Sequence, residues 1–296
     1  MYYIIYPIFY LLSLLPFFII YGLSDFFYVL MYHVFSYRKE IVMGNIAIAF
    51  PEKNVEEKKL IAKQFYKNFI DTLLETIKMI SMSNNAFEKR CTIEMASTIE
   101  LVAKGKSVTF VCGHQMNWEY GNWIMAKNST IPFIAIYQKI GNKAFNKLFY
   151  NLRARYSTVL VSTKDFKYKK DEILVPPYSL ALAADQNGNP DSCFWLYFFS
   201  KPAPFVTGPA KGAIKNNTAV VFAHFKIPKR GYYHFDTTVI AENANEFSPE
   251  ELTLRFRDLL EQTIKESPDN YLWSHRRWRH NYSEKYSHLW IDTKQP

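Results

Sequence analysis

The chain has 296 residues, of which 49% are hydrophobic and 21% charged, and its 36 Lys and Arg residues against 27 Asp and Glu residues give a net charge of +9. This balance excludes a disordered, collagen-like or coiled-coil chain, and the basic charge suits an acidic partner such as nucleic acid, anionic lipid or a carrier protein. Three widely separated cysteines without a CxxC pair argue against a disulfide framework or a zinc ribbon.

The first 37 residues differ in composition from the rest of the chain. They contain 14 aromatic residues and no Lys or Arg, and Asp25 is their only charged side chain. The uncharged run 1–22 is about as long as the roughly 20 apolar residues that a spanning helix needs, although Pro7 and Pro16 are expected to kink it. It lacks the basic start and small-residue end of a cleavable signal peptide. We therefore predict a membrane anchor over residues 1–37.

The orientation of this anchor follows from the basic residues that begin at Arg38. Positive charge next to a membrane segment favours the cytoplasmic side, so the body of the protein is expected there. The alternative interpretation is an apolar N-terminal helix that is buried in the domain core.

Residues 38–296 are predicted to form a single α/β domain. Helices are expected at 55–80, where Asn54 and Glu57 form a capping box, and at 95–104, 142–155 and 249–266. Runs rich in β-forming residues predict strands at 107–112, 133–137, 158–161, 179–184, 219–225 and 232–240. This alternation predicts a mostly parallel central sheet that is flanked by helices.

Several common site motifs are absent from the sequence. There is no Walker A, GxGxxG, HExxH or GxSxG pattern, and neither a basic block of five or more residues nor an RNA-binding motif occurs. His224 and His234 fall in predicted strands without a third ligand nearby. We therefore expect no nucleic-acid partner, no metal site and no cofactor.

The segment GHQMNWE at 113–119 directly follows the predicted strand 107–112. His114 falls in the turn and Glu119 in the first turns of the next helix, at the sheet edge where open α/β sheets bind ligands. We interpret His114 as a general base that deprotonates an attacking hydroxyl, and Glu119 as the carboxylate that fixes its tautomer. The alternative is a His114 that is satisfied in the core, with Glu119 exposed on its helix.

A series of sequence blocks extends this motif along most of the chain. The blocks are Arg38 with NIAIAFPE at 45–52, GHQMNWE at 113–119, Tyr137-Gln138 with Asn142, Arg153-Ala154-Arg155, Asp185-Gln186-Asn187, Phe205 with Thr207-Gly208, and YLWSHRRW at 271–278. In content and order they resemble the late acyltransferases of lipid A biosynthesis, within the lysophospholipid acyltransferase-like group. GHQMNWE is close to that family's GHxGNWE, and the last block is similar to its YxWxHRRF/W.

The resemblance implies an activity and its partners. Members of that family take an acyl chain from acyl carrier protein and transfer it to a hydroxyl of a lipid A precursor, on the cytoplasmic face of the inner membrane. The acceptor would attack the thioester directly, without an acyl-enzyme. Two alternatives stay open: the same mechanism on another membrane acceptor, such as an amino-lipid, a glycolipid or a polyene-type lipid, and a non-catalytic lipid-binding homologue.

The substrate-binding residues that we predict are Asn117, Gln138, Arg153, Arg155, Asp185, Arg276 and Arg277. For Arg276 and Arg277 a buried ion pair is an equal alternative to binding phosphate. Arg153 and Arg155 are two residues apart on a helix, so at most one of them is expected to face the site. Asp185 follows a strand at the same sheet end as His114 and is expected to orient the acceptor or these arginines.

Two positions depart from the family pattern. Gln138 stands where the family usually has Arg, with Lys139 next to it as a candidate substitute, and Met116 stands where the family usually has Gly. A glutamine brings no charge to a phosphate, so we expect an acceptor that is altered or carries less phosphate at this place.

Overall fold

The structure is a computed structural model and describes residues 2–293. Its strands are β1 (Cys91–Glu94), β2 (Val108–Cys112), β3 (Phe133–Tyr137), β4 (Val159–Ser162), β5 (Ser179–Ala183), β6 (Cys193–Phe198), β7 (Lys201–Val206), β8 (Ala219–Lys229) and β9 (Tyr232–Ala241). Seven of these strands form one sheet in the order β1-β9-β8-β2-β5-β3-β4, and β6 pairs with β7 in a separate hairpin. Neighbouring strands of the large sheet are parallel except β8 and β9, so the predicted α/β fold with a mostly parallel sheet is confirmed.

The helices cover both faces of the sheet and its N-terminal side. They are α1 (Tyr2–Leu14), α2 (Phe17–Val29), α3 (Lys39–Ala49), α4 (Val55–Lys78), α5 (Asn84–Glu88), α6 (Ala96–Ala103), α7 (Trp118–Asn128), α8 (Lys143–Arg153), α9 (Thr163–Ile173), α10 (Gly208–Lys215) and α11 (Pro249–Glu266). The capping box at the start of α4 is present, because the Asn54 side chain accepts from the Glu57 amide at 3.0 Å and the Glu57 carboxylate accepts from the Asn54 amide at 2.8 Å.

All six predicted strands are present, and both β1 and the hairpin β6–β7 are additions that the sequence did not suggest. The hairpin is the larger of the two. Its second strand carries Pro202 and Pro204, and proline within a run of β-forming residues argues against a strand. In this two-stranded hairpin β7 has a free edge, where a residue without an N–H group is tolerated.

The N-terminal segment divides at Pro16, as the expected kink at this residue suggested, whereas Pro7 lies within α1. After the break the chain is helical from Phe17 to Val34, and this stretch is long and apolar enough to cross a membrane by length and composition. The outward faces of α1 and α2 carry exposed apolar side chains, among them Tyr3, Ile4, Leu11, Phe18 and Phe26.

Polar side chains on one face of α2 bind the body of the protein. Tyr21 donates to Glu75 of α4 at 2.8 Å, and Ser24 donates to Asp71 of α4 at 2.5 Å. Arg230, in the turn between β8 and β9, donates to Asp71 and to Asp25 at 2.7 Å each. The helix α2 is therefore apolar outside and polar where it meets α4, which differs from a helix that is buried on all sides.

Candidate active site

The parallel register of β2 and β5 brings His114 and Asp185 together. Cys112 and Ala183 are register partners at the ends of these strands, and His114 and Asp185 each follow two residues later. The His114 Nδ1 lies 2.6 Å from Asp185 Oδ1, and the His114 backbone N–H donates to Asp185 Oδ2 at 3.0 Å. One carboxylate therefore fixes both the imidazole ring and the backbone of its residue.

Charge and burial set the protonation of this pair. Asp185 is 1% exposed, and burial alone would raise its pKa. The attraction of His114, the two hydrogen bonds from that residue and the charge of Arg277 outweigh burial and lower the pKa of Asp185 to about 2. Burial likewise favours the neutral imidazole, but the Asp185 carboxylate raises the pKa of His114 above its ordinary value.

The backbone around His114 is held from two further sides. The Leu272 amide donates to the His114 carbonyl oxygen at 3.0 Å, which ties the loop to the segment after α11. At Gly113 an added Cβ atom would lie 2.5 Å from Cδ1 of the buried Leu260 in α11. Glycine thus allows the loop after β2 to pass close to α11. Leu272 also lines the cavity described below. It belongs to the block YLWSHRRW, but its apolar side chain gave no reason to predict a place in the site.

Glu119 forms a different ion pair from the one that we predicted. It lies in the first turn of α7 and is 2% exposed, and its carboxylate accepts from Arg153 Nε at 2.9 Å and from Arg153 Nη2 at 2.6 Å. The predicted hydrogen bond from Glu119 to His114 is therefore wrong, and the carboxylate on His114 is that of Asp185. The physical reason is that the β2–β5 register brings Asp185 to Nδ1 of His114, while Arg153 at the end of α8 binds the Glu119 carboxylate.

Both ion pairs open into one cavity of about 370 Å³. His114, Glu119, Arg153 and Gln138 are the polar side chains on its wall that carry predicted roles. Its other walls are mainly apolar and include Phe110, Trp118, Met125, Phe133, Ala181 and Phe225. A mostly apolar cavity with a few convergent polar groups is typical of a ligand site.

Of the two departures from the family pattern, Gln138 lines this cavity and Met116 does not. Gln138 is exposed at the cavity rim. Its neighbour Lys139 donates to Asp165 of α9 at 3.2 Å, so the ammonium group is directed away from the cavity. Met116 is completely buried in the core, and its backbone N–H donates to Asn270 at 3.0 Å.

Asn117 lies behind the cavity. It is buried at the start of α7, where its side chain accepts from the Tyr120 amide at 3.2 Å and donates to Glu75 at 2.9 Å. Glu75 also accepts from Tyr21 and Tyr233, and burial raises the pKa of Glu75 to about 7 against the effect of these hydrogen bonds. Asn117 therefore supports the N-terminus of α7, and it is not among the residues that line the cavity.

The predicted arginines divide between the cavity and other surroundings. Arg153 lines the cavity, whereas Arg155 donates to the Met79 carbonyl oxygen at 3.2 Å and stacks on Trp123, which agrees with the expectation that at most one of the two faces the site. Arg276 is exposed and does not line the cavity.

Arg277 is placed in the interior of the protein. It is 1% exposed, donates to Asn187 at 2.8 Å, and lies 4.4 Å from the ring centre of Phe205. Burial lowers the pKa of Arg277 even though the charge of Asp185 opposes this shift. Arg277 does not line the cavity. It is buried and acts on Asp185 through its charge.

The comparison with protein families agrees with this site. The family model for the bacterial lipid A biosynthesis acyltransferases matches residues 1–280. A search of curated proteins gave no match. Because the family match spans almost the whole chain, including both ion pairs and the histidine–arginine block after α11, the chain belongs to the bacterial lipid A biosynthesis acyltransferase family and is an acyltransferase.

Proposed function

We propose that this acyltransferase moves a fatty acyl chain from acyl carrier protein to a hydroxyl of a lipid A precursor, with His114 as the general base. The observation that carries this proposal is the 2.6 Å contact between His114 Nδ1 and the buried Asp185 on the wall of an apolar cavity. The net charge of +9 suits an acidic carrier protein as the donor.

The proposed reaction is a direct transfer. With Nδ1 held by Asp185, the unprotonated Nε2 of His114 accepts the proton of the acceptor hydroxyl while its oxygen attacks the thioester carbonyl carbon. A C–O bond forms and the C–S bond breaks, and the proton then passes from His114 to the leaving thiolate. The Asp185 carboxylate stabilises the imidazolium that exists between these two proton transfers.

Arg153 supplies the positive charge in the cavity. Its Nε and Nη2 bind Glu119, and Nη1 forms no hydrogen bond within residues 2–293. A guanidinium with one free edge is suited to phosphate or to a developing oxyanion. Glu119 thus acts on the substrates through Arg153, which it positions.

The apolar wall of the cavity is proposed to hold the donor acyl chain. The side chains of Phe110, Met125, Phe133 and Phe225 contribute no hydrogen-bonding group. Burial of methylene groups against such a wall is favourable by about 0.8 kcal/mol for each group, so the acyl chain supplies binding energy near the thioester.

The membrane assignment rests on the N-terminal helices. We propose that residues 1–37 anchor a single α/β domain, residues 38–296, to the cytoplasmic face of the inner membrane. The helical stretch Phe17–Val34, the exposed apolar side chains of α1 and the basic residues from Arg38 onwards support this arrangement.

Gln138 favours a particular acceptor. It lies exposed at the cavity rim, and the neighbouring Lys139 is engaged by Asp165. The rim therefore offers a neutral amide where the family usually has a guanidinium, which suits a lipid A precursor, or another membrane acceptor of the same kind, with less phosphate at this place.

Mass spectrometry of lipid A with and without the gene tests the proposal. Loss of one secondary acyl chain in the deletion strain, restored by the wild-type gene and not by His114→Ala, is the expected result. Intact lipid A in the deletion strain, together with no transfer to a lipid A precursor in a purified assay, would refute this function and favour another membrane acceptor or a non-catalytic lipid-binding role.

A further inference from the structure

We propose that a second cavity, formed by α1, α4 and α8, holds one hydrocarbon chain of the lipid acceptor. The inference rests on the proposed function, because it assigns a site to the acceptor of that reaction. The cavity has a volume of about 350 Å³, and its walls include Phe9, Leu73, Ile77, Phe145 and Leu148. Nothing in the proposed donor site accounts for this second apolar space.

The two cavities meet at the ion pair between Glu119 and Arg153. Both of these side chains, together with Trp118 and Ile140, line the first cavity and the second one. A lipid whose hydroxyl reaches His114 in the first cavity can therefore extend past Arg153 into the second. A transfer between two lipid-like substrates needs two apolar sites that converge on the reacting atoms, and this arrangement provides them.

The lining of the second cavity selects a hydrocarbon over a polar ligand. Its hydroxyl groups, on Thr72 and Thr76, donate to backbone carbonyl oxygens of α4 at 2.9 and 2.7 Å. The charges on its wall, Glu119 and Arg153, already bind each other. A polar ligand that entered this space would lose its hydration without full replacement, whereas a hydrocarbon chain would gain by burial.

The second cavity also adjoins the apolar surface that we assign to the membrane. Phe9 of α1 forms part of its wall and contacts Phe145 of α8 with ring centres 5.9 Å apart. On its outer side α1 exposes Tyr3, Ile4, Ile8 and Leu11. Phe9 therefore separates the second cavity from this exposed apolar surface, and we infer that the chain of a bilayer lipid enters beside it.

Leu73→Trp tests the proposal, with Leu60→Trp as the matched control. Leu73 lies on the wall of the second cavity and is 41% exposed, whereas Leu60 lies on the same helix, is 68% exposed and lines neither cavity. The indole ring at position 73 should fill part of the cavity and displace a few methylene groups of the acceptor chain. The loss of their contacts should raise KM for the lipid acceptor about tenfold or more. Hydrolysis of a soluble acyl thioester by the same variant should be unchanged, and Leu60→Trp should match the wild type in both assays.

An acceptor precursor that lacks one acyl chain sharpens the test. Wild type should bind this truncated acceptor more weakly than the full one, and Leu73→Trp should bind the two equally, because it can no longer use the chain. Transfer by both proteins with the same KM and the same preference would overturn the second site and leave the proposed function standing. Absence of transfer by the wild type would overturn both.

Photo-crosslinking of the wild type covers the case in which Leu73→Trp fails to fold. An acceptor with a diazirine near the end of an acyl chain should label peptides from α4 and α8. Labels confined to the β-strands and to α7, which form the first cavity, would overturn the proposal.

Discussion

The two ion pairs of the active site are built from different parts of the fold. On the sheet side His114 meets Asp185 because β2 and β5 are adjacent and in parallel register. On the helix side Glu119 meets Arg153 because the first turn of α7 faces the end of α8. Both carboxylates are buried, at 1% and 2% exposure, yet their partners differ in what they can do with a proton.

The difference separates chemistry from positioning. Asp185 holds a histidine, and its carboxylate raises the pKa of that imidazole above the ordinary value. An imidazole can take up and release a proton, so this pair is suited to proton transfer. Burial alone would lower the pKa of Arg153, but the hydrogen bonds and charge of Glu119 raise it above its ordinary value. The guanidinium of this pair therefore stays protonated. In the proposed mechanism one buried carboxylate thus serves proton transfer, and the other fixes a cation beside it.

Removal of the imidazole should have the largest effect on activity. His114→Ala is expected to lower acyl transfer by about 10²–10⁴-fold, the usual range for loss of a general base. The variant leaves the buried Asp185 carboxylate without its imidazole partner, so a lower melting temperature is also expected, and activity should be compared well below the melting transition of both proteins. Near wild-type turnover in a purified assay would contradict the proposed mechanism.

The carboxylates can be separated by their effect on the pH profile. In the proposed mechanism the neutral imidazole is the base, so activity should rise with pH through a pKa above the ordinary value of 6.5. Asp185→Asn removes the charge that raises this pKa, so the acidic limb should move to lower pH while the maximal rate falls by about 10²-fold or more.

Glu119→Gln is the matched control, because it should leave the position of the acidic limb unchanged. A limb that moves in Glu119→Gln and stays in place in Asp185→Asn would reverse the roles that we assign to the two carboxylates.

The helix-side pair should affect stability in addition to any loss of activity. Arg153→Gln leaves the buried Glu119 without its cation and should reduce the free energy of unfolding by about 3 kcal/mol. The double variant Arg153→Gln with Glu119→Gln should recover much of this loss, because no buried charge stays unpaired. Urea denaturation of the four proteins gives the coupling free energy, and additive effects would show that the pair is not energetically coupled.

A third buried carboxylate extends the comparison. Glu75 binds the neutral groups of Tyr21, Tyr233 and Asn117, and its pKa is raised to about 7. A raised folded-state pKa of an acid means that its contribution to stability is complete below the unfolded value of 4.5 and is lost as the pH rises through 7. Glu75→Gln should flatten the stability profile between these values by up to about 3 kcal/mol, and an unchanged profile would contradict this assignment.

The smallest expected effect is at the rim. Gln138→Arg adds a guanidinium where Lys139 is already bound to Asp165, and at an exposed position the gain is modest. We expect a few-fold shift in preference towards the more phosphorylated of two lipid A precursors, measured as a ratio of kcat/KM values. An unchanged ratio would show that this position does not read phosphate.

The sequence predicts the sheet side of this site better than the helix side. His114 and Asp185 each follow an apolar β-forming run, so their location at one sheet edge was predictable, but their pairing depends on the order of strands across 71 residues of chain. The partner of Glu119 depends on the residue at which α7 begins and on the direction of its axis, which local patterns do not specify.

Arg277 shows a second reason why positions near the site were missed. Its guanidinium lies over Phe198 and Phe205 of the hairpin β6–β7, at 5.2 and 4.4 Å from the ring centres. The prolines of β7 argue against a strand, so the sequence did not predict this hairpin. The surroundings that bury the arginine could therefore not be predicted. The basic block HRRW left phosphate binding and a buried ion pair equally open, and the structure places its second arginine inside.

The polar contacts of α2 determine how a soluble form of this enzyme should be made. Truncation of the first 37 residues would remove Ser24 and Asp25 from Asp71 and Arg230, take one donor from Glu75, and uncover the apolar space behind Phe9. A shortened protein would thus lose the apolar surface of α1 and α2 but would expose apolar side chains that these helices now cover. It would therefore be prone to aggregate. Polar replacements of the exposed outward side chains of α1 and α2 leave these polar contacts in place and are the better route to an enzyme that is handled without detergent.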